Sequence, residues 1–406
     1  MPLNWSVTGP ASSAALAVGI RRCRAALPTR RASILSGATL CAWLGVVQSA
    51  NSQSTTTLHA ESAFGIVIPS PTEATAAVET LEEQRQQLFA RLESELGLSS
   101  EQLARVRQVF EGSPILGQGN PRLSVHPVGR AECRAALAER PLRPGDAVCG
   151  APFMAALYDQ QVASAGPDAA EVCIDQFEFP NIPCEFPVVH VSAREAAELC
   201  QAVDKRLCDA HEWEGACAGS LRSADREYAW GNDRQTMRRL HNALRSRVWA
   251  YGPEKYHVLC ATSSYKTPGC PGAGFAACGS NTFPSGAFPD CVSPFGVYDL
   301  HGNAAEHMSL PLTPSQLTRN GGSGQTEMKG SWFIFSNYEA HEDDCHWRAP
   351  DWHPSQVMSR NSHSNYHLGF RCCKNRARET ASDGAGASQQ RSAVQPDTAD
   401  VPESSR

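Results

Sequence analysis

Sixteen cysteines are present, and setting aside Cys23 and Cys41 near the N-terminus leaves an even set of fourteen. These are Cys133, Cys149, Cys173, Cys184, Cys200, Cys208, Cys217, Cys260, Cys270, Cys278, Cys291, Cys345, Cys372 and Cys373. Behind an export-like N-terminus, such a set constrains the fold more than any other feature, because disulfides persist outside the reducing cytosol. Zinc is the competing use of so many thiols. Cys260, Cys270, Cys278 and Cys291 are spaced too widely to form the close CxxC ligand pairs of common structural zinc sites. The adjacent Cys372 and Cys373 either serve opposite partners or combine one bridge with one buried thiol.

The export reading rests on order. Arg21, Arg22, Arg24, Arg30 and Arg31 precede the apolar run from Ala32 to Ala50, as an n-region precedes an h-region. Residues 1–50 are therefore read as an export signal or membrane anchor, with Thr29-Arg30-Arg31 weakly resembling a twin-arginine signal and the route left open. The expected location is extracytoplasmic: periplasmic, cell-surface or secreted, with transient membrane association through the signal. Lys plus Arg total 36 against 42 Asp plus Glu, and the net charge of -6 gives no electrostatic reason to expect a nucleic-acid partner.

Residues 51–72 read as a Ser/Thr/Pro-rich linker. From Glu73 to about Leu96, Val78, Leu81, Leu88 and Leu92 form an apolar stripe with Phe89 and Leu96 beside it, and Gly97 stops the helix. Ser99 with Gln102 three residues on predicts a capping box for a second helix through Phe110. This hairpin is expected to dock on the main domain, and residues 73–169 are taken as the hairpin plus an irregular Cys-containing extension, with a short helical run near Arg130 to Glu139. Val172 to Phe179 and Val188 to Val191 read as strands. Ala193 to Ala202 and Asp209 to Cys217 read as helices. Residues 375–406 have almost no large apolar side chain and read as a disordered tail.

Two segments carry a family resemblance. The first runs Ala193-Arg194-Glu195-Ala196-Ala197-Glu198-Leu199-Cys200, Lys205-Arg206-Leu207, Glu212-Trp213-Glu214-Gly215-Ala216-Cys217 and Tyr228-Ala229-Trp230-Gly231-Asn232. The second runs Phe295-Gly296-Val297-Tyr298-Asp299-Leu300-His301-Gly302-Asn303-Ala304-Ala305-Glu306, then Lys329-Gly330-Ser331-Trp332, and closes with Gly369-Phe370-Arg371-Cys372. In this order they resemble the formylglycine-generating, or sulfatase-modifying factor, domain over residues 170–374. The resemblance implies an α+β fold, irregular and low in secondary structure, related to C-type lectin folds and stabilised by calcium and disulfides. It also implies the pairs Cys200 to Cys372 and Cys217 to Cys345.

By the same resemblance, calcium would take side-chain oxygens from Asp299 and Glu306 and backbone oxygens from Gly302 and Ala304, a hard-oxygen set suited to that ion. Asn242 resembles part of a second calcium site. The role expected of calcium is structural. The family's oxidases bind copper through two cysteines shortly after the glycine-serine-aromatic segment; here Ile334 and Glu339 occupy those places, so copper is not expected. His341, His346, His353, His363 and His367, with His301 and His307 earlier, are a local set able to ligate iron, copper or zinc, although their spacing puts no triad on one regular element.

Gly330-Ser331-Trp332 is not a nucleophile elbow, and no phosphate-binding glycine motif is present. The function expected from the sequence is an exported recognition or assembly module for a protein or glycan, without formylglycine-generating oxidase activity. Trp332, Phe333, Phe335, Tyr338, Trp347 and Trp352 are the candidates for its groove. The alternative is a divergent extracytoplasmic oxidoreductase or protein-modifying enzyme using a non-standard metal site; the catalytic residues of either are unknown.

Overall fold

A computed structural model describes residues 60–61, 67–68, 80–227, 230–270, 274–350 and 355–376, all within one compact unit, Thr56–Arg406. The export segment, Trp352, His353 and the C-terminal tail from 377 lie outside the described residues, as does the linker except for Ala60–Glu61 and Val67–Ile68, which pair as two short antiparallel strands where the sequence reading expected only a linker. Among the described residues no helix is long and apolar enough to cross a membrane.

The N-terminal hairpin forms from its own caps. Helix α1 (Leu81–Leu96) begins with a Thr80/Glu83 capping box and ends at Gly97, which adopts φ 65°. Helix α2 (Ser100–Glu111) begins with the Ser99/Gln102 box. Leu88, Phe89, Leu92, Leu103, Val106 and Phe110 bury one shared face against Phe179, Val188, Leu199 and Phe370 of the main body. Each such side chain contributes roughly 1.5–3 kcal/mol when fully buried, so docking follows from the apolar stripe. A buried carboxylate fixes the angle of approach. Glu185 accepts from Arg130 Nε at 2.7 Å and Gln118 Nε2 at 2.6 Å, and it pairs with Arg91 of α1.

Helix α3 (Arg130–Glu139) is tethered by Cys133–Cys184. Beyond it, strands β1 (Met154–Leu157), β2 (Val172–Asp175), β3 (Arg206–Leu207) and β7 (Cys372–Asn375) make an antiparallel sheet in the order β1-β2-β7-β3. A second sheet has the order β5-β4-β6, from β4 (Ala305–Leu310), β5 (Gln325–Lys329) and β6 (Leu368–Phe370), with β4 and β6 parallel. Helices α4 (Ala193–Ala202), α5 (Ala210–Ala218) and α6 (Arg234–Leu244) complete the main body.

All fourteen cysteines between Cys133 and Cys373 are bridged: Cys133–Cys184, Cys149–Cys173, Cys200–Cys372, Cys208–Cys373, Cys217–Cys345, Cys260–Cys291 and Cys270–Cys278. The pairs expected for Cys200 and Cys217 are present. Cys372 and Cys373 serve opposite partners because successive side chains of a strand face opposite sides of the sheet. The link from Cys200 spans 172 residues; in the chain-entropy account a loop of about 100 residues already contributes on the order of 5 kcal/mol.

The structure departs from the sequence reading at Val188 to Val191, which is not a strand. Its amides go to three separate carbonyls, Val188 to Phe179, Val189 to Gly117 and His190 to Asn365, so no ladder forms.

Candidate functional site

The chemistry of the domain concentrates where residues 299–306, 329–348 and 213–217 converge. Asp299, Gly302 and Asn303 all have positive φ, at 58°, 99° and 55°, a turn that Asp, Asn and Gly tolerate best. It turns Asp299 inward toward a buried acidic cluster. Asp299 Oδ2 accepts the Gly286 amide at 2.6 Å, and its Oδ1 is buried without a hydrogen-bond partner. Both oxygens of Glu306 are held by Arg371, at 2.7 and 2.5 Å, and Trp213 Nε1 adds a third bond at 3.0 Å.

Glu178, which the sequence reading missed, is the third carboxylate. It accepts from the Ala304 amide at 3.2 Å and the Ser285 hydroxyl at 2.7 Å. Burial, reinforced by the charge of Asp299, holds Glu178 well above the usual carboxylate range. Burial likewise pushes Asp299 up to about 7, with the Gly286 amide and Arg371 opposing and Glu306 adding to the rise. Three buried carboxylates thus share the guanidinium of Arg371. Excess negative charge and the unbonded Asp299 Oδ1 suit a hard cation such as calcium; Glu306 would have to share its oxygens with Arg371. Ala304 turns its amide N–H toward Glu178.

Asn242 lies in a different network. Its side chain donates to the Arg348 carbonyl at 2.9 Å and accepts the Arg348 amide at 3.0 Å. Arg348 in turn grips Glu214 through Nε and Nη2, at 3.0 and 3.2 Å, and Lys329 Nζ reaches the same carboxylate at 3.0 Å. Burial alone would raise Glu214, but Arg348 and Lys329 outweigh it and hold the group well below its ordinary value. His241 Nε2 is 3.5 Å from Glu214 Oε2, and burial lowers that imidazole to about 4, leaving it neutral. One ligand-capable atom from each of Glu214, His241 and His346 lies within 4.8 Å of the others. This is a metal-capable cluster of one carboxylate and two imidazoles.

Two other clusters meet the same distance criterion, Cys217/His301/Cys345 and Cys208/Glu212/Cys373, but their cysteines are tied in disulfides and offer no thiolate. The former meets Asp343 through His301, whose Nδ1 lies 3.6 Å from Asp343 Oδ2. Ser331 Oγ donates to Asp343 Oδ2 at 2.8 Å and accepts the Gly302 amide at 3.0 Å, His257 Nε2 sits 2.8 Å from the same carboxylate oxygen, and Trp249 donates to the other at 3.1 Å. Burial would raise Asp343, but the bonds from His257 and His301 hold it well below its usual range. Ser331 is thereby a bracket between two loops. Gly330 before it has φ 74°, and a Cβ there would stand 2.7 Å from the Leu300 carbonyl.

The two places of the oxidase cysteines hold no thiol. Ile334 is buried among Phe333, Phe335 and Tyr366, and Glu339 is exposed in an ion pair with Lys255. Of the proposed groove, Phe333 and Phe335 are core residues, Trp332 and Trp347 are nearly so, and Tyr338 is 62% exposed. The remaining histidines disperse: His307 faces the Val191 carbonyl at 3.0 Å, His363 stands beside Asn365, and His367 meets the edge of Trp332 at 4.2 Å. Glu214 and Lys329 were legible as motif residues, Arg348 was missed, and nothing local in sequence joins the three.

These features define a class: a disulfide-linked α+β domain of modest secondary structure, organised around buried ion networks and without a free catalytic cysteine pair among its described residues. The model of the sulfatase-modifying factor enzyme 1-like domain matches residues 151–376, and the chain belongs to that family. It is 29% identical over 194 residues to the formylglycine-generating enzyme of Mus musculus, covering 46% of this chain and 43% of that protein. It is 28% identical over 196 residues to the enzyme of that name from Bos taurus, covering 46% and 44%. The chain thus spans less than half the length of these curated relatives. Among solved structures it is similar to the Major Tropism Determinant I1 Variant at 13% identity and a TM-score of 0.21, covering 45% of this chain and 37% of that one, a likeness too weak to carry an argument.

Proposed function

We propose that this chain is a divergent extracytoplasmic protein-modifying enzyme or oxidoreductase of its family, working through a histidine and carboxylate metal site in place of the cysteine pair. The observation that carries the reading is the Glu214/His241/His346 cluster. A carboxylate with two imidazoles suits zinc, copper or iron, whereas the soft thiolate route is closed because every described cysteine is bridged. Lys329 and Arg348 temper the affinity, since a metal must share Glu214 with them. Burial of most of the aromatic side chains named for an open groove weighs against a purely recognitional role. In this reading the partner is a protein substrate, calcium at Asp299, Gly302, Ala304 and Glu306 is structural, and the basic-then-apolar N-terminus and the seven disulfides support export. Kinship with C-type lectin folds is an expectation carried by the family alone.

The test is metal loading of purified, disulfide-intact protein with copper, iron(II) or zinc, followed by metal analysis. About one equivalent bound by the native protein and lost in both His241→Ala and His346→Ala supports the site. Equal loading of native and variant proteins, or none, sinks it. A peptide containing Cys-x-Pro-x-Arg, incubated with copper, reductant and oxygen, is expected to keep its cysteine.

A further inference from the structure

The three side chains of the Glu214/His241/His346 cluster are not held alike. Glu214 lies one turn before Cys217 on α5, and Cys345 immediately precedes His346, so the Cys217–Cys345 bridge ties two of the three covalently. His241 has no such tether, since α6 carries no cysteine. The buried residues of that helix are Arg234 and Met237, both in its first turn or just past it. Arg234 donates to Glu327 Oε2 at 3.0 Å and Met237 packs with Ala210, Leu310 and Leu317, which fixes where the helix starts. Past Met237 the large apolar side chains face solvent: Leu240 is 41% exposed and Leu244 85%. Apolar burial therefore does not set the place of the turn that carries His241.

Polar contacts set it instead. The Asn242 amide closes a clasp of two bonds on the backbone of Arg348, donating to its carbonyl at 2.9 Å and accepting its N–H at 3.0 Å. Both bonds reach the main chain two residues beyond His346, so they fix α6 against the segment of another member of the cluster. Arg245 backs the clasp, donating to the Asn242 carbonyl at 2.6 Å and to both Asp344 oxygens at 3.1 Å. The His241 ring makes a contact of its own, with Nε2 2.8 Å from the His346 carbonyl and 3.5 Å from Glu214 Oε2. A carbonyl only accepts, so Nε2 carries the proton in that bond, and ligation through Nε2 gives the bond up. The clasp survives ligation.

Resting on the metal-site reading above, we infer that Asn242 is the positioning residue of the cluster: its clasp on the Arg348 backbone holds His241 beside Glu214 and His346. It acts through His241 and touches no metal itself.

The experiment titrates the full, disulfide-intact chain with zinc against a chelating dye, and uses cobalt(II) to report ligand geometry through its visible absorption. The variants are Asn242→Ala, Asn242→Asp and Ala243→Gly. Alanine is the best helix former, so Asn242→Ala removes the clasp without weakening α6, whereas Ala243→Gly loosens the same turn and leaves the clasp in place. Loss of a group that orients a metal ligand lowers affinity by about 10–100-fold, so Asn242→Ala should weaken zinc binding at least about tenfold and alter the cobalt spectrum. Asn242→Asp keeps the acceptor and loses the donor, and should fall between. Ala243→Gly should bind nearly as the native protein does. One affinity and one spectrum for native protein and Asn242→Ala, or an equal loss in Ala243→Gly, overturns the positioning role and leaves the metal site standing. Native protein that binds neither zinc nor cobalt overturns the metal-site reading and the positioning role with it.

Discussion

Arg371 is the residue on which most of the buried chemistry depends. Besides both oxygens of Glu306, it donates to the carbonyls of Asp175, Gln176 and Tyr298, so one side chain satisfies three carbonyls on two separate segments and a carboxylate. Breaking a buried pair from one side leaves an uncompensated charge. Arg371→Met should therefore lower stability by about 3–5 kcal/mol in urea unfolding, and Arg371→Met/Glu306→Gln should recover part of the loss. Asp299 gives a pH test. Its folded pKa of about 7 lies above its ordinary value of 3.8, so the folded protein holds a proton that the unfolded chain releases, and the contribution is complete below pH 4 and lost as pH rises to 7. In chelator, the melting temperature of Asp299→Asn should gain steadily on the native protein from pH 4 to 7 and run parallel above it. A constant gap across that range would refute the assignment. Calcium added at pH 7.5 should raise the native melting temperature and leave the variant unmoved; equal response or no response would remove calcium from this site.

At the scale of elements, the hairpin of α1 and α2 is held by packing and polar contacts, since neither helix carries a cysteine: Glu185 grips Arg91 of α1, Arg85 donates to the Leu116 and Ser113 carbonyls, and Arg105 of α2 bonds Asp204 and the Ala202 carbonyl. Glu185→Gln should speed amide exchange in both helices and leave the β1-β2-β7-β3 sheet protected, and equal protection of the helices in variant and native protein would count against this role. Ser99→Ala should cost about 1 kcal/mol of local stability in α2. The hairpin was legible because its caps and stripes are local signals: Ser99 and Gln102 sit three residues apart, and Leu88 and Leu92 sit four apart. The second sheet was not. All six residues of β4 are buried, and Glu306, His307 and Ser309 are buried as polar groups because Arg371, the Val191 carbonyl and the Gly324 amide satisfy them. No alternation of polar and apolar residues survives such pairing. The acidic cluster was half legible for a related reason: Asp299 and Glu306 lie within one motif, while Glu178 comes from over a hundred residues upstream. Val188 to Val191 misled in the opposite way, its apolar run serving three unrelated carbonyls.

For the whole molecule, the disulfides replace much of what regular structure supplies elsewhere. Peptide mapping without reduction should return the seven pairs, and recovery of free Cys372 or Cys373, or reproducible linkage to other partners, would refute the arrangement. Full reduction should collapse the cooperative unfolding transition, because the links across β7 close the longest loops. That strand lies between β2 and β3 and takes both of its bridges from segments made far earlier. During synthesis, Cys200 and Cys208 emerge long before their partners and close to one another, so the nearest thiol available to each is the wrong one. A cell that makes this protein must therefore hold those thiols open, or undo their premature union, until the final strand arrives, and its yield should follow the supply of disulfide isomerase more closely than the supply of oxidant.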